Sequence, residues 1–437
     1  MVRVTRSGAV QAQPSPLAIP DFRAYWIARF SAVLATMSMV VILGYQVYDT
    51  ARADYGMSVR EASFYLGLIG LAQFVPLFLL TPVAGWVADR FERRLVARLA
   101  NGIDLSIALT LGITTYTQTL TLPLLFGLAA LHGVARVFLG PSMTAIAPNI
   151  VPAAVLPRAI AMSSIAWQSA SVSGPALAGF LYSVDPAMPY WMAAGFLVVS
   201  ILALTPIRRI MPAAMSGSTH PVRQMVDGLS YVRSHRFLLG AITLDLFAVL
   251  LGGATALLPV YARDILHVGP EGLGWLRASP AVGAAVVALW FAWRPLHHNV
   301  GVKMLLAVAG FGLATLAFGY SKSMPASMAA LIVLGGMDML SVYVRSSLVQ
   351  LYTPDAMRGR VSAVSGLAIS ASNELGEVES GLLASVLGPI GAVAFGGIGA
   401  IAVAGIWAYL FPEIRRARTF DLPETALPEA VMQEKPA

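Results

Sequence analysis

Glu374 and Glu377 stand within an apolar run over 358–387, with Asn373 and Glu379 beside them. On a helix, residues three apart share a face, so Glu374 and Glu377 point one way and Glu379 another. Charge inside an apolar span is expensive and needs a reason. A carboxyl withheld from water prefers to keep its proton, and a second on the same face strengthens the preference, which suits a reversible proton carrier. The alternative is polar lining of a cavity that binds a cationic molecule; either role puts both residues on a transport path. Asp104 lies a third to halfway along the run 95–117, and His132, Arg136 and Gly140 recur every four residues on one face of 121–146. Arg136 cannot shed its proton and needs a carboxylate, for which Asp104 and Asp89 are the candidates. A static ion pair and a coupling role both fit that expectation. Asp245 sits in the inner half of 237–261, and Asp338, Ser341 and Arg345 share a face of 326–350, with Arg345 expected to snorkel to the cytoplasmic surface.

A second concentration of chemistry lies at a joint. Gly85 closes an apolar run, and Asp89, Arg90, Glu92, Arg93 and Arg94 follow before the next run opens at Leu95. So short a charged joint predicts a tight turn between two membrane helices, kept on the cytoplasmic side by its arginines. Gly85 is expected to let a neighbouring helix come close. Asp89 can accept charge-assisted hydrogen bonds from guanidinium groups or a helix N-terminus.

The elements that must position these residues follow from composition. Of 437 residues, 57% are apolar and 12% charged, about half the charge of a soluble domain. Twelve apolar runs, near 26–48, 64–87, 95–117, 121–146, 158–183, 188–207, 237–261, 272–293, 302–320, 326–350, 358–387 and 389–411, are each sized to cross a bilayer. Alternate joints are arginine-rich, while the others hold only Arg52, Arg60, Arg263, Arg277 and Lys322. That asymmetry predicts both termini on the cytoplasmic side. The first twenty residues have no apolar core of signal-peptide length, so the first span is expected to target the chain. The predicted organisation is a segment 1–25, six spans over 26–207, a cytoplasmic linker 208–236, six spans over 237–411 and a cytoplasmic tail 412–437, whose acidic, Pro-rich part after Phe420 reads as disordered. Within the linker, Met225, Leu229 and Val232 share one helical face, which fits an amphipathic helix on the membrane surface; a plain charged linker is the alternative.

The halves look like repeats. Sliding the chain so that Pro152 falls on Pro354 also brings Arg158 onto Arg360, Ala161 onto Ala363, Ser163 onto Ser365, Gly174 onto Gly376 and Gly179 onto Gly381. Related halves place a substrate cavity between them, near mid-membrane. The same register sets Pro175 against Glu377.

The joint resembles the Gly-x-x-x-Asp-Arg-x-Gly-Arg-Lys/Arg loop of the major facilitator superfamily of secondary transporters: Gly85, Asp89, Arg90, Arg93 and Arg94 match, and Glu92 replaces the second Gly. Arg136 to Gly140 resembles the Arg-x-x-x-Gly of the family's fourth helix, with Leu139 in place of a polar residue. Gly174-Pro175-x-x-x-Gly179 resembles the Gly-Pro motif of its exporters and favours efflux; physically, Pro175 breaks a helical hydrogen bond and the glycines offer close packing. The stretches Leu244 to Leu276 and Pro354 to Val364 resemble the branch that holds the enterobactin exporter and macrolide efflux proteins. The resemblance, from about Asp21 to Phe411, implies an all-α membrane protein: twelve transmembrane helices in two pseudo-symmetric six-helix halves, the major facilitator fold. It further implies a monomeric, proton-coupled exporter of a small amphiphilic molecule (a siderophore, macrolide or other drug) in the cytoplasmic membrane.

Other classes find less support. The net charge of +7 is spread among the joints, so no nucleic-acid partner is expected. With no cysteine there is no disulfide, thiolate metal site or thiol nucleophile, and His297 with His298 lacks further ligands, so no metal and no cofactor is expected. No phosphate-binding Gly-rich loop speaks for ATP drive. A proton-coupled nutrient importer and an integral-membrane lipid enzyme remain as alternatives; the second lacks a nucleophile or metal constellation.

Overall fold

The computed structural model describes residues 15–210, 221–294 and 296–420. The first segment up to Pro14, most of the small, polar part of the linker, and the acidic tail lie outside the described residues. Among those described, each long apolar run is helical. In lipid the backbone amides find no water, and a helix is how a single segment satisfies its own.

The order is α1 (Pro20–Ala53), α2 (Val59–Arg90), α3 (Arg93–Tyr116), α4 (Leu122–Ile150), α5 (Leu156–Val184), α6 (Met188–Leu204), the linker helix α7 (Pro221–Ser234), α8 (Arg236–Leu251), a one-turn α9 (Leu258–Val260), α10 (Gly269–Trp293), α11 (Val300–Gly319), α12 (Met324–Leu351), α13 (Asp355–Leu387), α14 (Pro389–Leu410) and a short α15 (Pro412–Arg416). Nine spans, the stretch Arg236–Ile265 counted as one, are long and apolar enough to cross a membrane. Of the remaining long helices among the described residues, α6 is apolar but shorter, and α5 and α13 are long but rich in polar residues. Proline opens α10, α12 and α14, where its missing N–H costs nothing.

One expected span is not continuous. The apolar run 237–261 predicts a single helix, but α8 stops at Leu251, and the chain passes through a 3-10 turn and α9 into a π-helical turn, Tyr261–Ile265. Gly252 and Gly253 explain the break. A side chain at Gly252 would meet the Phe311 ring, and one at Gly253 would meet Ser380, whose hydroxyl donates to the Gly253 carbonyl at 3.1 Å. The broken backbone is tolerated because protein, not lipid, surrounds it.

By internal contacts the chain forms two compact units. The first comprises Met1–Ile42, Leu79–Leu120 and Gly127–Ser216. Its core joins Phe22 and Tyr25 of α1 to Ala97 and Ala100 of α3, Met143 and Ile146 of α4, Ala159 of α5 and Leu204 of α6. Polar links reinforce it: Asn101 donates to Ser200 at 2.9 Å, and Ser200 to the Ala28 carbonyl at 2.9 Å. The second comprises Leu43–Phe78, Thr121–Phe126 and Gly217–Ala437. Its core runs from Phe237 and Leu238 through Met304, Val344, Leu348 and Val361 to Val403. Small residues recur where helices touch, while Leu99, Leu306, Leu313 and Val386 are exposed. This suits a lipid setting, in which close backbone approach rather than water exclusion drives packing.

The linker does form a helix, α7, in the second unit, packed on α8 and the start of α13. Its buried contacts come from Gly228, against the Arg360 backbone, and Val232, while Leu229 is exposed together with Val226. The face expected from Met225, Leu229 and Val232 is therefore rotated, and Asp227 lies 3.4 Å from Arg360.

Candidate functional site

In the first unit, Asp104 and His132 lie at the middle of α3 and α4 and are fully buried, with His132 Nδ1 2.8 Å from Asp104 Oδ1. His132 is thus a partner of Asp104. Arg136, one turn further along α4, lines a cavity of about 200 Å3 shared by α1, α4 and α5, together with Arg29 and Gly140. The other suggested partner, Asp89, ends α2 on described backbone, but its side chain lies outside the described residues.

The basic joint is tight as expected. α2 ends at Arg90 and α3 begins at Arg93. Glu92 has φ −60° and ψ 113°, a conformation open to any residue, so no glycine is needed there. Arg94 Nε lies 2.8 Å from Glu92 Oε1 and its Nη1 donates to the Thr205 carbonyl at 3.1 Å. Arg93 donates to the Ala145 carbonyl at 3.2 Å. Arg90 covers the Trp86 ring at 5.5 Å. The turn thereby ties α3 to the ends of α4 and α6. Gly85 shows no close approach among the described residues: none of their atoms lies within 4 Å of where its side chain would be.

α5 remains one helix through Pro175. At Gly174 the backbone of α1 comes so close that a Cβ would lie 2.7 Å from the Leu34 carbonyl oxygen, and Ser38 donates to the Gly174 carbonyl at 2.9 Å. Gly179 is buried one turn on. In the second unit Gly376, its counterpart in the repeat, meets the Val249 and Leu250 carbonyls of α8. Matched glycines thus carry matched contacts, α5 on α1 and α13 on α8.

The second unit holds the carboxylates. Asp245 and Arg345 form a buried ion pair between α8 and α12. Arg345 is only 4% exposed, so it does not snorkel; a carboxylate within reach at the same depth removes the need. Asp338 and Ser341, on the same face of α12, line a small cavity with Asp245. On α13, Glu374 is buried and Glu377 half-buried. Glu377 packs against Gly70 of α2, where a Cβ would lie 2.9 Å from its side chain. Its charge acts on the Arg277 guanidinium. Arg277 was assigned to a joint, yet it lies inside α10, half-buried. One turn along, Gly67 of α2 and Gly381 of α13 leave no room for a methyl between them. Glu379 is half-buried on the other side of the helix.

A further cluster was missed. At the end of α1, Asp49 pairs with Arg263 and Arg52 with Asp264 at 3.0 Å, while Tyr48 donates to Asp264 at 2.6 Å. Arg263 also donates to the Asp49 carbonyl at 2.9 Å. The two acids and two arginines come from the ends of the first span and of the broken seventh. Read singly, each charge is only a span end, and no spacing in the sequence joins them.

Among the described residues no group of histidine or acidic side chains could hold a metal ion. A profile described as "transmembrane secretion effector" matches residues 11–435. The chain is 27% identical over 410 residues to the enterobactin exporter EntS of Citrobacter koseri, covering 91% of this chain and 94% of that protein. It is 27% identical over 385 residues to EntS of Escherichia coli O1:K1, 86% of each chain. Among solved structures, a bacterial homologue of the human lysosomal transporter Spinster superposes with a TM-score of 0.67 at 13% identity, over 93% of this chain and 97% of that one. The xylose transporter XylE from Escherichia coli gives 0.65 at 13%, over 90% and 96%. The chain belongs to the transmembrane secretion effector family of the major facilitator superfamily, and it is an integral-membrane transporter rather than an enzyme.

Proposed function

We propose that this protein exports a small amphiphilic molecule from the cytoplasm in exchange for protons, by alternating access between two six-helix halves, 26–207 and 237–411. Both termini, the linker 208–236 and the tail lie in the cytoplasm in this reading. The observation that carries proton coupling is the setting of Glu377: a carboxylate in mid-helix α13, one turn from buried Glu374, pressed on Gly70 and under the field of Arg277. A proton arriving there cancels the attraction to Arg277 and changes the packing of α13 on α2, so protonation and helix movement are linked. The relatives named as enterobactin exporters support outward transport and a siderophore-class substrate, with macrolides and other drugs as further members of the panel to test. The motif at α5 supports the same direction.

The Asp49, Arg52, Arg263 and Asp264 cluster then closes the outer side, and the Arg90, Arg93, Arg94 turn with Asp89 latches the inner side in the opposite state. Asp104 with His132, and Asp245 with Arg345 and Asp338, are the remaining charges along the path. The test is proteoliposomes carrying an imposed proton gradient and an internal pH dye, challenged with siderophores, macrolides and cationic drugs. Substrate-evoked proton flux that disappears in the Glu374→Gln, Glu377→Gln double variant is expected. Flux that persists in the folded double variant would overturn the assignment of the coupling site.

A further inference from the structure

On α13, Glu379 stands apart from the face that carries Glu374 and Glu377. Both of its carboxyl oxygens are closed off from the surface and accept no hydrogen bond among the described residues. The hydroxyl that bears on it is that of Ser380, the next residue. That hydroxyl is committed elsewhere: it donates to the Gly253 carbonyl at 3.1 Å, at the break in the seventh span.

Charge around α13 is spent on other groups. Within the second unit α13 packs on α2, α7, α8, the turn Ala254–Leu257 and α14. The turn and α14 hold no charged residue, and the one ionisable side chain of α14 is Tyr409, exposed near its far end. On α8, Arg236 is bonded to Glu413 and Asp245 is paired with Arg345. α7, with Tyr231 and Arg233, meets the start of α13, where Asp227 faces Arg360, about five turns from Glu379. α2 meets the level of Glu379 through Gly67 and Gly70, while Tyr65 packs on Phe64 and Phe126. Arg60 and Glu61 lie about two turns beyond Gly67, with Glu61 bonded to Ser58. Arg277 of α10 acts on Glu377. An ionised carboxylate with neither donor nor cation is far costlier than the neutral acid.

We propose that Glu379 is a further proton-binding residue of α13, loaded in the conformation seen here and discharged in the opposite one. The ionised form requires a donor, and Ser380 can serve it only by letting go of the Gly253 carbonyl. Discharge therefore loosens the broken segment of the seventh span, and reloading restores it. The proton leaves the Glu379 oxygen for water admitted in the open state, and a carboxylate remains. That this proton travels with the transport cycle rests on the exporter reading above; that Glu379 holds it does not.

Infrared difference spectra of the full-length protein in nanodiscs, without substrate, read the carboxylic C=O stretch directly. At neutral pH wild type is expected to show a protonated-carboxyl component that disappears in base and is missing from Glu379→Gln. The Glu374→Gln, Glu377→Gln double variant should keep that component. Glutamine matches the neutral acid in size and polarity, so Glu379→Gln should unfold at the wild-type temperature; Glu379→Asp, as a second variant, should move the component rather than remove it. The chain has no cysteine, so a fluorophore on Thr255→Cys, in the turn after the break, reports alone. Its emission should change over the pH range in which the component disappears and stay constant in Glu379→Gln. In proteoliposomes Glu379→Gln should lower the ratio of protons to substrate moved. A spectrum in which Glu379→Gln removes nothing overturns the proposal. Emission that changes alike in both proteins overturns the link to the break, and an unchanged proton-to-substrate ratio overturns the part in the cycle. The Glu379 component without any substrate-evoked proton flux in wild type would uphold the site and instead remove proton-coupled export.

Discussion

Asp264→Asn is the sharpest perturbation of the outer closure. Asp264 accepts from Tyr48 at 2.6 Å and from Arg52 at 3.0 Å, and it sits beside the Asp49–Arg263 pair. The Arg52 and Asp264 side chains are 28% and 19% exposed, so their attraction is partly screened. An ion pair of this kind contributes about 1 kcal/mol. Turning the charge-assisted hydrogen bond from Tyr48 into a neutral one costs about 1 kcal/mol more. The sum, about 2 kcal/mol, shifts a closed-to-open ratio about 30-fold. The chain has no cysteine, so introduced ones report alone. Spin labels on Ala53→Cys and Glu271→Cys, both exposed positions, read the separation of α1 and α10 at this end by pulsed electron resonance. Asp264→Asn should raise the long-distance population by that factor, and the swap Arg52→Asp with Asp264→Arg should recover part of the closed population. A ratio within twofold of wild type, in folded Asp264→Asn protein, would refute the reasoning.

Other perturbations carry their own signatures. Asp245→Leu or Arg345→Met alone strands a buried charge and should cost about 3–5 kcal/mol, whereas the double variant should recover most of that loss in a thermal-unfolding series. Gly174→Val drives a side chain into the Leu34 carbonyl and should lower stability by about 1–3 kcal/mol, with transport falling further than stability alone explains. Glu377→Gln should leave the fold intact yet make transport indifferent to an imposed proton gradient, as measured in proteoliposomes. Arg94→Ala removes the tie from the basic turn to Glu92 and the Thr205 carbonyl, so cysteine labelling near the inner end of α6 should rise.

What could be read from residue order was whatever depends on local pattern. Apolar length and arginine asymmetry marked the spans, and the charged joint foretold a two-residue turn. The repeat foretold that Gly174 and Gly376 do equivalent work. Pairings between distant helices were not legible, because depth along a span does not tell which way a side chain rotates. Hence the bond from His132 to Asp104 was not foreseen, and Arg345 does not reach for the surface because Asp245 meets it at the same depth. The break in the seventh span was hidden because Gly252 and Gly253 are common in membrane helices; only the neighbours Phe311 and Ser380 give them their meaning. Gly85 shows the converse, a motif glycine with no described residue close beside it.

The central claim, proton-driven outward transport through the α13 carboxylates, is tested most directly in membrane vesicles of both orientations with a labelled siderophore. Inside-out vesicles energised with an acidic lumen should accumulate the label. Accumulation should collapse with a protonophore and vanish in the Glu374→Gln, Glu377→Gln variant, and right-side-out vesicles should not accumulate it. Gradient-driven accumulation only in right-side-out vesicles, or accumulation untouched by the protonophore, would contradict the account.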